Sequence, residues 1–142
     1  MNKLYIKISA DIANDAFIRS TVAAFCLELD PTIEQIDDVK TAVSEAFTNC
    51  VIHGYDGKEG NYVYLDLCVD DGKLSIIISD GGKGIENVKQ AMEPFYTTKP
   101  EEERSGMGFT LMSTFMDEIS VDSTPGKGTT VRMVKNIGKE VA

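Results

Sequence analysis

The chain has 142 residues, 42% of them hydrophobic and 26% charged, with a formal net charge of −9. A chain of this length buries roughly 70% of its unfolded surface, so a single domain over residues 1–142 can hold one core without staples. The charge argues against a nucleic-acid surface, which needs clustered Lys and Arg, but not against a nucleotide held by backbone N–H groups and a metal, nor against a basic protein partner.

Leu4-Tyr5-Ile6-Lys7-Ile8 alternates as a strand. A helix follows from about Ala13 to Leu29, with Ile18, Val22, Phe25 and Leu29 on one stripe, and Asp30-Pro31 ends it. On this helix Asp15 and Arg19 are i and i+4, the spacing of an intrahelical ion pair. A second helix runs from about Thr32 to His53 on the stripe Ile36, Val39, Val43, Ala46, Phe47 and Cys50, and Gly54 stands where a C-terminal glycine belongs. At about 100° per residue, the stripe's centre lies roughly 150° from Glu45 and roughly 110° from Asn49. Glu45 and Asn49 therefore share a face that is not the core face, covered either by water or by something else. His53, the sole histidine, could accept a phosphoryl group, ligate a metal or close the helix near its negative pole. One histidine without a cysteine cluster makes no transition-metal site.

Tyr62–Val69 and Leu74–Ser79 read as strands joined by the hairpin signal Asp70-Asp71-Gly72. Ile76-Ile77-Ile78 lacks polar alternation, which predicts a central strand covered on both faces. Asp80-Gly81-Gly82-Lys83-Gly84 follows it. The Asp80 carboxylate can accept hydrogen bonds from an exocyclic amine such as that of adenine, and Gly82 and Gly84 let backbone approach a flat ring; a plain Asp-Gly turn uses the same residues. Residues 81–105 are the least regular part, with a short helix near Glu86–Ala91 and a lid at about 92–106. Ser105-Gly106-Met107-Gly108-Phe109 opens a helix from Met107 to Met116, and its N–H groups suit phosphate, though an ordinary glycine-rich cap looks alike. Lys99 and Arg104 flank it; Glu101-Glu102-Glu103 reads as a solvated run. Ile119–Asp122 and Thr129–Val134 form a last hairpin around Thr124-Pro125-Gly126-Lys127-Gly128. The sum is an α+β two-layer α/β sandwich, helices on one face of a mixed, largely antiparallel sheet. Cys26, Cys50 and Cys68 form no CxxC pair and read as thiols in a reducing compartment. No signal-peptide-like segment and no long apolar run is present, so a cytoplasmic location is expected.

In this order, the motifs around Glu45–Gly54, Asp80–Gly84 and Ser105–Phe109 resemble the N, G1 and G2 boxes of the ATPase superfamily shared by gyrase, histidine kinases and MutL. More narrowly, Val43–Asn49, Ile52–Tyr55, Phe95–Pro100, Glu103–Thr110, Phe115–Glu118 and Thr21–Phe25 are similar to the small anti-sigma factors of sporulation that are also serine protein kinases. The resemblance spans nearly the whole chain and implies the histidine-kinase-like ATPase fold, with ATP and Mg²⁺ as cofactors. It implies an anti-sigma factor that inhibits a sporulation sigma factor and phosphorylates an anti-anti-sigma factor on serine, and that forms a homodimer. Glu45 would be the general base and Asn49 the Mg²⁺ ligand. Asp80 would read the adenine amine with help from Thr130. Thr97, Thr98, Lys99, Gly106 and Gly108 would make the phosphate-binding lid. His53, Gly82, Gly84, Arg104, Ser105 and Met107 would complete the ATP site, and Asp15 and Arg19 would contact both protein partners. Tyr96 stands where the family more usually has Phe. Three alternatives compete: a stress-response anti-sigma B serine kinase, the catalytic domain of a histidine kinase, and a non-catalytic module that uses ATP only to order its lid. The second needs a phosphoacceptor histidine outside the N box; the third needs no base at Glu45.

Overall fold

The computed structural model describes residues 1–93 and 108–138. Strand β1 (Asn2–Ser9) comes first, and a 3-10 turn (Ile12–Asn14), capped where the Asp11 carboxylate accepts from Ala13 N–H at 2.9 Å, leads into α1 (Asp15–Phe25). The single helix expected from Ala13 to Leu29 is thus three pieces, because the chain tightens into a second 3-10 turn (Cys26–Leu29) before Asp30 turns left-handed at φ 55°. Ile18, Val22 and Cys26 are buried, while Phe25 and Leu29 only flank the core.

Helix α2 (Ile33–Asn49) starts from a capping box: Gln35 N–H donates to Thr32 Oγ1 at 3.1 Å, and Thr32 N–H to Gln35 Oε1 at 2.9 Å. It buries Val39, Ala42, Val43, Ala46 and Phe47. The α-helix stops at Asn49, and Cys50–Gly54 form one π turn in which Tyr55 N–H reaches back to Cys50 C=O at 3.0 Å. Gly54 is therefore not the left-handed C-terminal glycine that its position predicts. Asp56 (φ 55°) and Gly57 (φ 70°) reverse the chain instead.

β2 (Tyr62–Asp70) and β3 (Lys73–Asp80) form the expected hairpin, with Asp71 and Gly72 both left-handed as a primed turn requires. After a short α3 (Val88–Ala91), α4 (Gly108–Phe115) lies against α2, and β4 (Glu118–Thr124) and β5 (Gly128–Asn136) complete a sheet of order β1-β2-β3-β5-β4. The expected sandwich is present, and every strand pairing among the described residues is antiparallel, none parallel.

β3 is central, as expected, but it is not covered on both faces. Leu74, Ile76 and Ile78 are fully buried beneath the helices, whereas Ile77 lies half-buried on the other face between Asp66 and Arg132. The three isoleucines run together, yet only one face of the strand meets a second layer.

Lys135 is the one lysine among the buried described residues. It projects from β5 under the helices, donates from Nζ to the Phe115 carbonyl at the end of α4 at 2.5 Å, and pairs with Asp38 of α2 at 3.5 Å. It thus ties the two helices to the sheet. Removing one partner of a buried polar contact strands the others, so Lys135→Met is expected to lower the unfolding free energy by about 1–3 kcal/mol in urea titration. A loss under about 0.5 kcal/mol would show that the clamp does not hold α4.

Candidate functional site

Asp80 ends β3 opposite Thr129 of β5 and is only 8% exposed. Burial raises its carboxyl above the usual range, while hydrogen bonds from Gly82 N–H, the Cys50 thiol and Thr129 N–H pull it back. The Gly82 N–H bond measures 2.9 Å to Oδ1. The backbone crowds this carboxylate closely. A Cβ on Gly54 would lie 2.8 Å from Asp80 Cγ, and the Gly54 carbonyl accepts Lys83 N–H at 2.9 Å. Gly82 in turn packs onto that carbonyl too closely for any side chain. The Tyr55 hydroxyl locks the same junction, accepting Gly81 N–H at 2.7 Å and donating to the Tyr62 carbonyl at 2.6 Å.

The first and third motifs meet on α2. A Cβ on Gly108 would stand 3.2 Å from Asn49 Nδ2 and 3.3 Å from Glu45 Oε2. The non-core face predicted for Glu45 and Asn49 is thus met by the start of α4 and by two clefts. The larger, about 450 Å³, is a size suited to a small organic ligand. Asn49, Cys50 and His53 wall one side, Asp80 and Thr129 the sheet end, the loop Lys83–Asn87 and α3 another side, and Gly108 and Phe109 the last. The smaller cleft, about 270 Å³, lies between α1 and α2 and is lined by Arg19, Asp37, Lys40, Thr41, Ser44 and Glu45. Arg19 Nε is 3.0 Å from Asp15 Oδ2, the predicted i,i+4 pair.

Of the residues singled out in the sequence, Asn49, His53, Asp80, Gly84 and Gly108 line the larger cleft, and Gly82 packs behind it. Glu45 opens on the neighbouring cleft with Arg19. Thr130 is displaced: it pairs with Ser79 on the face away from the helices, and Thr129 stands at the wall instead. The inward alternation of Val131 and Met133 carries that register, since residue 129 shares their face and residue 130 does not. Cys50 is legible as part of the core stripe and of the first motif, and Tyr55 only as part of the string Ile52–Tyr55, without a role at the site. Thr97, Thr98, Lys99, Arg104, Ser105, Gly106 and Met107, with the expected lid from residue 94 on, lie outside the described residues.

Among the described residues no group of three or more His, Cys, Asp or Glu could hold a metal ion by itself. A single amide such as that of Asn49 fits magnesium, which takes few protein ligands and completes its shell with phosphate oxygens and water. No helix among the described residues is long and apolar enough to cross a membrane.

Residues 8–135 match the family profile of the histidine kinase-like ATPase domain. An anti-sigma F factor of Caldanaerobacter subterraneus is 55% identical over 97% of this chain and 96% of its own length. One from Clostridium acetobutylicum is 54% identical over 94% of this chain and 93% of its own, and one from Geobacillus thermodenitrificans 48% over 99% and 97%. In fold, the chain superposes over its whole length on 35% of a solved Mycobacterium tuberculosis structure containing RsbU and RsbW domains, with a TM-score of 0.68 at 19% identity.

The close packing around Asp80 has a direct test. Gly54→Ala is expected to destabilise the fold by about 1–3 kcal/mol, because the new methyl meets the buried Asp80 carboxylate. Gly81→Ala, whose Cβ would have only the Tyr55 hydroxyl at 3.7 Å, is expected to cost little by the same urea measurement. Equal losses would mean that crowding at Asp80 is not what demands glycine at 54.

Proposed function

The chain belongs to the histidine kinase-like ATPase family and, within it, to the anti-sigma F factors, and from that premise we propose that it is an anti-sigma factor that binds a sporulation sigma factor and, with Mg-ATP, phosphorylates an anti-anti-sigma factor on serine. The observation that carries this reading is the division of α2 between two clefts: Asn49 lines the larger, and Glu45, one turn earlier, lines the smaller beside Arg19. A nucleotide in the larger cleft and a protein hydroxyl presented at the smaller one approach each other across that turn.

Asp80, as an ionised acceptor, takes a hydrogen bond from the adenine amine, and the loop at Gly82–Gly84 lies against the ring. Asn49 would hold magnesium, which would supply charge neutralisation for phosphoryl transfer. Glu45 accepts the proton of the serine hydroxyl as its oxygen bonds to the γ-phosphorus. The bridging P–O bond then breaks and ADP leaves. The residues expected as the lid, Thr97, Thr98, Lys99, Arg104, Ser105, Gly106 and Met107, would contact the phosphates.

Asp15 and Arg19 form the partner surface. In support, Arg19 lines the smaller cleft, and Asp15 Oδ1 is buried without a hydrogen-bond partner among the described residues. Homodimerisation through the first strand and helix is part of the proposal: β1 is an edge of the sheet, and Tyr5, Ile12 and Phe17 are exposed near it. A cytoplasmic location is part of the same proposal.

Two variants test the assignment. Glu45→Gln should keep nucleotide affinity within about twofold while label transfer from γ-³²P-ATP to the antagonist's serine falls by about 10²–10⁴-fold. Near wild-type transfer would remove Glu45 as the base, and label on a histidine would overturn the serine kinase. Arg19→Ala should weaken binding of both the sigma factor and the antagonist by about tenfold or more at unchanged nucleotide affinity. Unchanged sigma binding would refute the α1 surface.

A further inference from the structure

We infer that Ser123 is a positioning residue for base recognition: it fixes the Thr129 hydroxyl as an acceptor toward the larger cleft and so favours an amino purine over an oxo purine. The inference rests on the adenine-nucleotide reading of that cleft and deepens it.

Ser123 and Thr129 pair across the β4–β5 hairpin, on the face that Val131 and Met133 turn toward the helices. Thr129 also stands opposite Asp80 in the β3–β5 register, and Thr129 and Asp80 both line the larger cleft. Half-buried Ser123 meets three partners through one oxygen. Ile85 N–H donates to its Oγ at 2.8 Å, its hydroxyl donates to the Gly128 carbonyl at 3.0 Å, and Thr129 Oγ1 lies 2.8 Å away. A serine hydroxyl has one hydrogen and two lone pairs. The Gly128 carbonyl can only accept, so it takes the hydrogen. The Ile85 amide can only donate, so it takes one lone pair. All three bonds are made at once only when Thr129 donates into the second lone pair. The Thr129 hydrogen is then committed, and the cleft meets its lone pairs.

The same serine fixes a wall of the cleft. Ile85 and Lys83 line it, and the Lys83 carbonyl accepts Gly126 N–H at 2.7 Å, so the loop after Asp80 is stitched to the hairpin at two points. One end of the cleft thus carries two acceptors, the Asp80 carboxylate and Thr129 Oγ1. An exocyclic amine, with two hydrogens, complements them. A purine with a carbonyl in that place brings a further acceptor that finds no donor there. Ser123→Ala removes the lone pair that holds the Thr129 hydrogen, and the freed hydroxyl can turn to donate to such a carbonyl.

The test titrates ADP and GDP by calorimetry into the full chain as wild type, Ser123→Ala, Ser123→Thr, Thr129→Val and the double variant Ser123→Ala/Thr129→Val. The readout is the ratio of the two Kd values, which an inactive fraction of protein does not alter. Ser123→Ala is expected to lower the preference for ADP by about 3- to 10-fold, and Ser123→Thr, which keeps the hydroxyl, to hold it within about twofold of wild type. Thr129→Val should lower the preference at least as far, and adding Ser123→Ala to it should change the ratio by less than about twofold. If Ser123→Ala weakens both nucleotides equally, or neither, Ser123 only braces the hairpin; the inference then falls while the adenine reading stands. A further full loss in the double variant overturns it as well, since Ser123 would act apart from Thr129. So does an unchanged preference in Thr129→Val, whether or not Ser123→Ala folds. If the wild-type chain binds ADP no better than GDP, the adenine reading and the inference fall together.

Discussion

The fold is arranged around one carboxylate that must be buried yet remain able to accept. At 8% exposure little water reaches it, so the protein supplies donors: the Gly82 amide from the turn after β3 at 2.9 Å, with the Cys50 thiol from the end of α2 and the Thr129 amide from β5 also favouring its charged form. Bringing these together pulls three segments so close that side chains no longer fit between them. Gly54 faces the carboxylate, Gly82 rests on the Gly54 carbonyl, and Gly128, at φ 101°, sits against the Asp80 carbonyl. Gly82 of the second motif is there as much for this inward crowding as for access to a ligand.

Helix α2 is the wall on which the chemistry is divided. Its buried stripe of Val39, Val43, Ala46 and Phe47 fixes rotation against the sheet, so Glu45 and Asn49 are turned away from the core and held there. The capping box fixes where the helix starts, and the π turn changes its pitch where it meets the ligand cleft. Lys135, reaching up from the sheet to the end of α4 and to Asp38, keeps the helix that carries Gly108 against this wall.

Much of this was legible in the chain because periodicity reports burial directly. The stripe on α2, the off-core face of Glu45 and Asn49, and the Asp71-Gly72 hairpin all follow from local pattern. What local pattern misread was tertiary. Ile76-Ile77-Ile78 looks like a strand buried twice over, but hydrophobicity alone does not say whether a second layer exists. Thr130 came from the resemblance, whereas the strand register sets its neighbour Thr129 opposite Asp80. Gly54 has the position of a helix-ending glycine, but its cause lies 26 residues away in sequence, at Asp80. The role of Tyr55, whose hydroxyl joins the turn to β2, has no local signature.

The two clefts share a wall one helical turn thick, and this has a thermodynamic consequence. Any ligand in the larger cleft that shifts α2, or the Glu45–Asn49–Gly108 contact, changes the free energy of whatever sits in the smaller cleft. Linkage makes that coupling reciprocal: the factor by which nucleotide strengthens a protein partner is the factor by which that partner strengthens nucleotide. Occupants of the two clefts can therefore sense one another over the length of two side chains.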